Sequence, residues 1–138
     1  MEKLLEKLQI ECKFNNSASH AEILELEVAL NINIPVELKS LLNKTNGISD
    51  KYGANLIWSA EKILKENKDF RADEGFRELY MPFENLMFFG DEINSDLFAF
   101  IILNNRINRH DIYVWEHETD SRVWFASNLE NYLKKRLI

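Results

Sequence analysis

Residues 86–117 read Leu86-Met87-Phe88-Phe89-Gly90, then Asp91-Glu92-Ile93-Asn94-Ser95-Asp96, then the wholly apolar Leu97 to Leu103, a polar turn, and Ile112-Tyr113-Val114-Trp115-Glu116-His117. Three strand-like runs joined by two hydrophilic loops predict an antiparallel sheet at the centre of the domain, with an acidic loop at one edge. Leu97 to Leu103 is apolar at every position, as a central strand covered on both faces requires. In the following run Tyr113, Trp115 and His117 fall on one face and Ile112, Val114 and Glu116 on the other. Beyond a second polar turn, Val123-Trp124-Phe125 predicts one more short strand.

Helical patterns flank this sheet on both sides. Leu4, Leu5 and Leu8 recur at helical spacing among Glu and Lys, predicting a short amphipathic first helix. Ser19 with Glu22 has the form of a capping box, opening a second helix that buries Ile23, Leu26 and Leu30. Pro35 opens a third with Leu38, Leu41 and Leu42 inward, and Asn46-Gly47 reads as its stop. A short strand follows over Ala54 to Trp58, and Ser59 caps another helix from Ala60, with Ile63, Leu64 and Phe70 inward. Residues 69–80 are charged and contain Gly75, so broken helix and loop both remain open there. Ser127 with Glu130 repeats the capping-box pattern and starts a last helix with Leu129, Tyr132, Leu133 and Leu137 apolar. Lys134, Lys135 and Arg136 lie in its final turns, where positive charge complements the helix dipole.

Composition narrows the function classes. The 138 residues suit one domain, 1–138, and are enough to remove about two thirds of the unfolded surface from water. A net charge of −6 argues against nucleic-acid binding, which needs clustered Lys and Arg, and favours a basic protein surface as partner. The single cysteine, Cys12, excludes an internal disulfide or a thiolate cluster and suits a reducing cytoplasm. Met1 to Phe14 lacks the apolar core of a signal peptide, and Leu97 to Leu103 is far short of the roughly 20 residues that span a bilayer. A cytoplasmic protein without a membrane role is expected.

Little in the residues points to catalysis. The four glycines at 47, 53, 75 and 90 never cluster, so no phosphate-cradling loop is present and no nucleotide cofactor is implied. His20, His110 and His117 show no metal-ligand spacing, so no metal is implied either. Glu116-His117-Glu118 is the best acid–base cluster, yet adjacent strand residues point to opposite faces, so Glu116 and His117 should not pair within one strand. Asp91, Glu92 and Asp96 place three negative charges within six residues, and Glu116, Glu118 and Asp120 place three more in another loop. A charge run is usually a solvated turn. If the sheet brings both loops to one end, they form a negative rim able to steer a basic partner. With Asn94 and His117 from the same loops, these are the candidate partner-binding residues. Charge reversal at Asp91 and Asp96 is then expected to slow association and leave the fold intact. Phe88, Phe89, Phe98, Phe100, Trp115 and Trp124 are expected in the core.

The order of features is similar to that of the SUKH superfamily, which includes the yeast Smi/Knr cell-wall regulators and many bacterial immunity proteins. The likeness rests on several stretches: Ile23 to Leu30, Ile34-Pro35 and Leu38 to Leu42 ending in Asn46-Gly47; Phe89-Gly90-Asp91 with Asp96 before an apolar strand; Val114-Trp115-Glu116-His117; and Ser127 to Leu133. The chain departs from the family at Glu92-Ile93-Asn94-Ser95, where a glycine-rich turn is frequent. The resemblance implies an α+β fold with helices packed on a mixed, mostly antiparallel sheet, and binding without catalysis. It implies an immunity protein that occludes the active site of a cognate toxin, such as a basic nuclease. The alternatives are a regulatory scaffold of the yeast kind and a small hydrolase using His117. Oligomeric state and the toxin's identity are not implied.

Overall fold

The computed structural model describes residues 1–137, and the helices predicted from the sequence form in the expected order. Helix α1 (Glu2–Glu11) buries Leu4 and Leu8. Helix α2 (His20–Leu30) carries the full capping box, with Ser19 and Glu22 each satisfying the other's amide, and buries Ile23, Leu26 and Leu30. It ends at Asn31, whose left-handed φ of 54° needs no glycine because a short amide side chain tolerates that region. Pro35 is the N-cap of α3 (Val36–Lys44). That helix stops at Thr45 in extended conformation, so Asn46-Gly47 is not its cap as expected. Asn46 instead bridges two helix starts: its Oδ1 accepts from Ala60 N–H at 2.8 Å, and its Nδ2 donates to Glu22 at 3.3 Å. Gly47 has φ +119°, and a side chain there would also press on Asn15 and on the Ile57 carbonyl.

Residues 69–80 are helical in two pieces. Helix α4 (Ala60–Ala72), capped by Ser59, ends at Asp73, whose carboxylate accepts from Phe76 N–H and starts α5 (Glu74–Leu79). The last helix, α6 (Leu129–Arg136), is capped by Asn128 and not by Ser127. Both residue types can cap, and the strand before them decides which one reaches the first free amide.

The fold is α+β with helices packed on antiparallel strands, as expected, and the strands divide into two antiparallel sheets. The smaller has the order β1 (Lys13–Phe14), β2 (Ile48–Ser49), β3 (Asn55–Ile57). The larger is an up-and-down meander of β4 (Leu86–Asp91), β5 (Leu97–Ile101), β6 (Ile112–Glu116) and β7 (Ser121–Ala126). The sheets abut where Trp58 N–H donates to the Phe89 carbonyl at 2.7 Å.

Helix α4 closes the rest of that edge. Asn67, only 1% exposed, accepts from Phe88 N–H at 2.8 Å and donates to the Phe88 carbonyl at 2.9 Å, standing in for a neighbouring strand. One turn later Arg71 Nη2 donates to the Leu86 carbonyl at 3.0 Å. Buried backbone groups must find partners, and here two helical side chains supply them.

Both faces of the four-stranded sheet are covered, which explains the unbroken apolar run of β5. On one face Phe89, Phe98 and Phe125 surround Tyr132 of α6 at ring distances of 5.0 to 5.9 Å. On the other, Phe88 and Trp115 meet Phe70 and Phe83 from the α4–α5 side. Full burial of each such ring contributes about 2–3 kcal/mol. Trp124 departs from the expected core set: it is 50% exposed, and its indole N–H donates to Asp111. No helix among the described residues is long and apolar enough to cross a membrane.

Candidate functional site

In an up-and-down sheet successive turns alternate between its two ends, so the first and third turns share one end. The loop from β4 to β5 and the turn from β6 to β7 are the first and third. They meet directly: Asp96 Oδ1 accepts from His117 N–H at 3.1 Å and faces His117 Nδ1 at 2.7 Å. A carboxylate acceptor at that distance calls for the proton on Nδ1. The partner of the imidazole is therefore Asp96 and not Glu116, as the alternation of the strand requires. Asn94 braces this contact, its Oδ1 accepting from Asp96 N–H and its Nδ2 donating to Asp96 Oδ2 at 3.1 Å. A cleft of about 210 Å³ lies between the loops, lined by Asn94, Asp96, Glu116, His117, Glu118 and Thr119.

The three aspartates of the candidate set turn inward. Asp91 is 17% exposed and accepts from Asn55 N–H at 2.8 Å, Asn55 Nδ2 at 3.2 Å and Trp58 Nε1 at 2.7 Å, with Lys62 at 3.8 Å. It thereby binds the small sheet to the large one. Asp120, with φ 59°, accepts from Trp115 Nε1 at 2.7 Å, Met81 N–H at 2.9 Å and Arg122 at 3.3 Å. Burial raises the Asp120 pKa, but the hydrogen bonds from Met81 and Trp115, together with the Arg122 charge, outweigh that and hold it below the ordinary carboxylate value. Asp96 is 15% exposed.

The outward charge belongs to the glutamates. Glu118 is exposed, Glu116 is half-buried, and neither side chain makes a hydrogen bond or ion pair among the described residues. Glu92 is 40% exposed and lies 3.6 Å from Arg136. The aspartates accept from donors that distant segments bring to them, Asn55 and Trp58 for Asp91, His117 for Asp96 and Met81 for Asp120, whereas Glu118 stands in solvent. Charge reversal at Asp91 or Asp96 therefore perturbs the fold as well as the surface.

Gly90 explains its place beside Asp91. The strand bulges between Phe88 and Gly90, and a Cβ at Gly90 would overlap the Leu56 carbonyl oxygen and lie 2.7 Å from the Tyr132 hydroxyl. Those two groups bond each other at 2.7 Å. Gly90→Ala is expected to cost about 1–3 kcal/mol through overpacking; an unchanged urea midpoint would mean the two sheets separate there without cost.

Other candidate chemistry is sparse. Burial, then Asp50 and Glu11, push the Cys12 thiol up, away from the reactive thiolate. Among the described residues no three His, Cys, Asp or Glu side chains gather as a metal site.

A family model described as SMI1-KNR4 cell-wall, SUKH_6, matches residues 20–133. No curated protein matches the chain significantly. The matched span begins at the first residue of α2, takes in β2 to β7 and ends inside α6, so it contains the whole four-stranded sheet, the Asp91 junction and both acidic turns. The chain belongs to the SMI1-KNR4 family of the SUKH superfamily.

Proposed function

We propose that this protein is a cytoplasmic protein-binding module that acts without catalysis, an immunity protein that neutralises a cognate toxin by covering its active site. The observation that best supports this reading is the joining of the two acidic loops at one end of the sheet through Asp96 and His117, with the half-buried Glu116 and the exposed Glu118 unpaired among the described residues. An anionic end of this kind steers a basic surface into contact, and a nuclease-like toxin carries such a surface where it holds phosphate.

The double reversal Glu116→Lys with Glu118→Lys tests it. Against the toxin recovered with the native protein, the association rate at low salt is expected to fall about tenfold, with a weaker salt dependence. The thermal melt should change little, because neither side chain holds a hydrogen bond or ion pair among the described residues. An association rate equal to that of the unaltered chain would remove this end from the interface.

A second reading, a regulatory scaffold, draws on the cell-wall description of the family. Rescue of cells from one co-expressed toxin favours immunity, and capture of several unrelated partners favours the scaffold. Hydrolysis through the His117–Asp96 pair would require an activity that His117→Ala removes while the fold persists.

A further inference from the structure

Every polar group of Asn46 is engaged. Its N–H donates to the Asn16 carbonyl at 2.6 Å, and its own carbonyl accepts from Asn15 Nδ2 at 3.0 Å. Its side chain accepts from Ala60 N–H at 2.8 Å and donates to Glu22 at 3.3 Å. One residue thus ties the segment after β1 to the starts of α2 and α4, and its neighbours Thr45 and Gly47 are buried.

The residue that follows makes this hub chemically fragile. A backbone amide nitrogen can attack the side-chain carbon of the asparagine before it. Here the Gly47 N–H proton would leave to water, the N–Cγ bond would form, and the Cγ–Nδ2 bond would break with loss of ammonia. Water then opens the cyclic imide to aspartate or isoaspartate. Glycine hinders this attack least, because it carries no side chain beside the nitrogen. Asn46 is the one asparagine of the chain that glycine follows. Attack also needs an aligned, near-attack pose of Cγ on the Gly47 nitrogen. The bonds to Ala60 and Glu22 hold the carboxamide against that rotation.

Neither product rebuilds the hub. Aspartate keeps an oxygen for Ala60 N–H but loses the donor to Glu22, so two carboxylates meet where one hydrogen bond stood. Hydrogen bonds from Ser19, with a smaller one from Asn46, outweigh desolvation and hold the Glu22 pKa below its ordinary value, so its charge persists at neutral pH. Isoaspartate lengthens the main chain between two buried neighbours and displaces the bonds to Asn15 and Asn16.

We propose that Asn46-Gly47 is a deamidation site closed by the fold: the folded chain withholds it, an opened chain exposes it, and the product blocks return to the native state. Each opening of this hub then carries a chance of permanent loss. The inference is independent of what the acidic end binds.

The test holds the full chain and a peptide of residues 42–52 in mildly alkaline buffer and follows Asn46 by mass spectrometry of fragments. Deamidation in the folded chain is expected to be at least about a hundredfold slower than in the peptide, because it follows the population of the open form. In urea above the unfolding midpoint the full chain should reach the peptide rate. Chain modified in urea and returned to buffer should melt below unmodified chain treated alike. Asn46→Asp supplies the aspartate product directly and should lower the melting temperature by about 2–6 °C. Adding Glu22→Gln should restore most of that loss, since glutamine keeps the capping-box acceptor and offers the new carboxylate a donor. The rates in the unaltered chain do not depend on whether either variant folds. Equal rates in folded chain and peptide, no modification of Asn46 in urea, a modified chain that melts like the unmodified one, or a loss in Asn46→Asp that Glu22→Gln leaves untouched would each overturn the proposal.

Discussion

Trp115→Ala is expected to lower stability by about 3–5 kcal/mol, the range for removing a fully packed large aromatic ring. The indole is 4% exposed and meets Phe70, Tyr80, Phe83 and Phe88 at ring distances of 5.2 to 5.9 Å. Its N–H also holds Asp120, which fixes the turn after β6 and the segment at Met81. Two contributions are thus lost together: the aromatic packing between the sheet and α4–α5, and one charge-assisted hydrogen bond. Trp115→Phe separates them. It keeps most of the packing and removes the N–H, so a cost of about 1.5–3 kcal/mol is expected. A denaturant midpoint for Trp115→Ala equal to that of the unaltered chain would mean that the cluster closes over the missing ring without loss.

Asn67→Leu is the second substitution with a large expected effect. Leucine fills a similar volume and propagates helix well, so neither packing nor helical propensity is the main cost. What disappears is the pair of hydrogen bonds to the Phe88 amide and carbonyl, deep between α4 and β4. Each orphaned backbone group costs about 1–3 kcal/mol, which sums to roughly 2–6 kcal/mol. Asn67→Asp keeps the acceptor for Phe88 N–H and loses the donor to its carbonyl. Hydrogen exchange at the Phe88 amide should therefore accelerate strongly in the leucine variant and less in the aspartate variant. Equal protection in all three chains would show that another group replaces Asn67.

Much of this architecture was legible before the structure. Ser19 with Glu22, Ser59 and Pro35 mark helix starts because each leaves a specific free amide satisfied or harmless. The apolar periods at Leu38, Leu41 and Leu42, and at Leu129, Tyr132 and Leu133, give the buried faces. The joining of the two acidic loops was also within reach, since strand parity alone puts the first and third turns of a meander at one end.

Other features were hidden for identifiable reasons. Strands β1 and β2 have two residues each, too few to show a period, and they pair across a long stretch of chain, Lys13 opposite Ser49 and Phe14 opposite Ile48. The inward turn of Asp91, Asp96 and Asp120 depends on which donors the loops bring within 3 Å, which charge patterning does not report. Asn67 did leave a trace: it falls four residues after Ile63 on the apolar side of α4, and a polar residue there asks for a buried partner. The division between α4 and α5 fell in the stretch read as either broken helix or loop, and it rests on one cap, the Asp73 carboxylate accepting from Phe76 N–H.

The outer margin of β4 bears on how the protein behaves at high concentration. An open strand margin invites a second chain to add its own strand, the first step toward ordered aggregates. Here the Leu86, Phe88 and Phe89 carbonyls and the Phe88 amide are already engaged by Arg71, Asn67 and Trp58. At the far margin, Lys135 donates to the Phe125 carbonyl and stands over Trp124, where its charge repels a like chain. Colloidal solubility and fold stability thus depend partly on the same side chains, and a variant that frees α4 from β4 forfeits both at once.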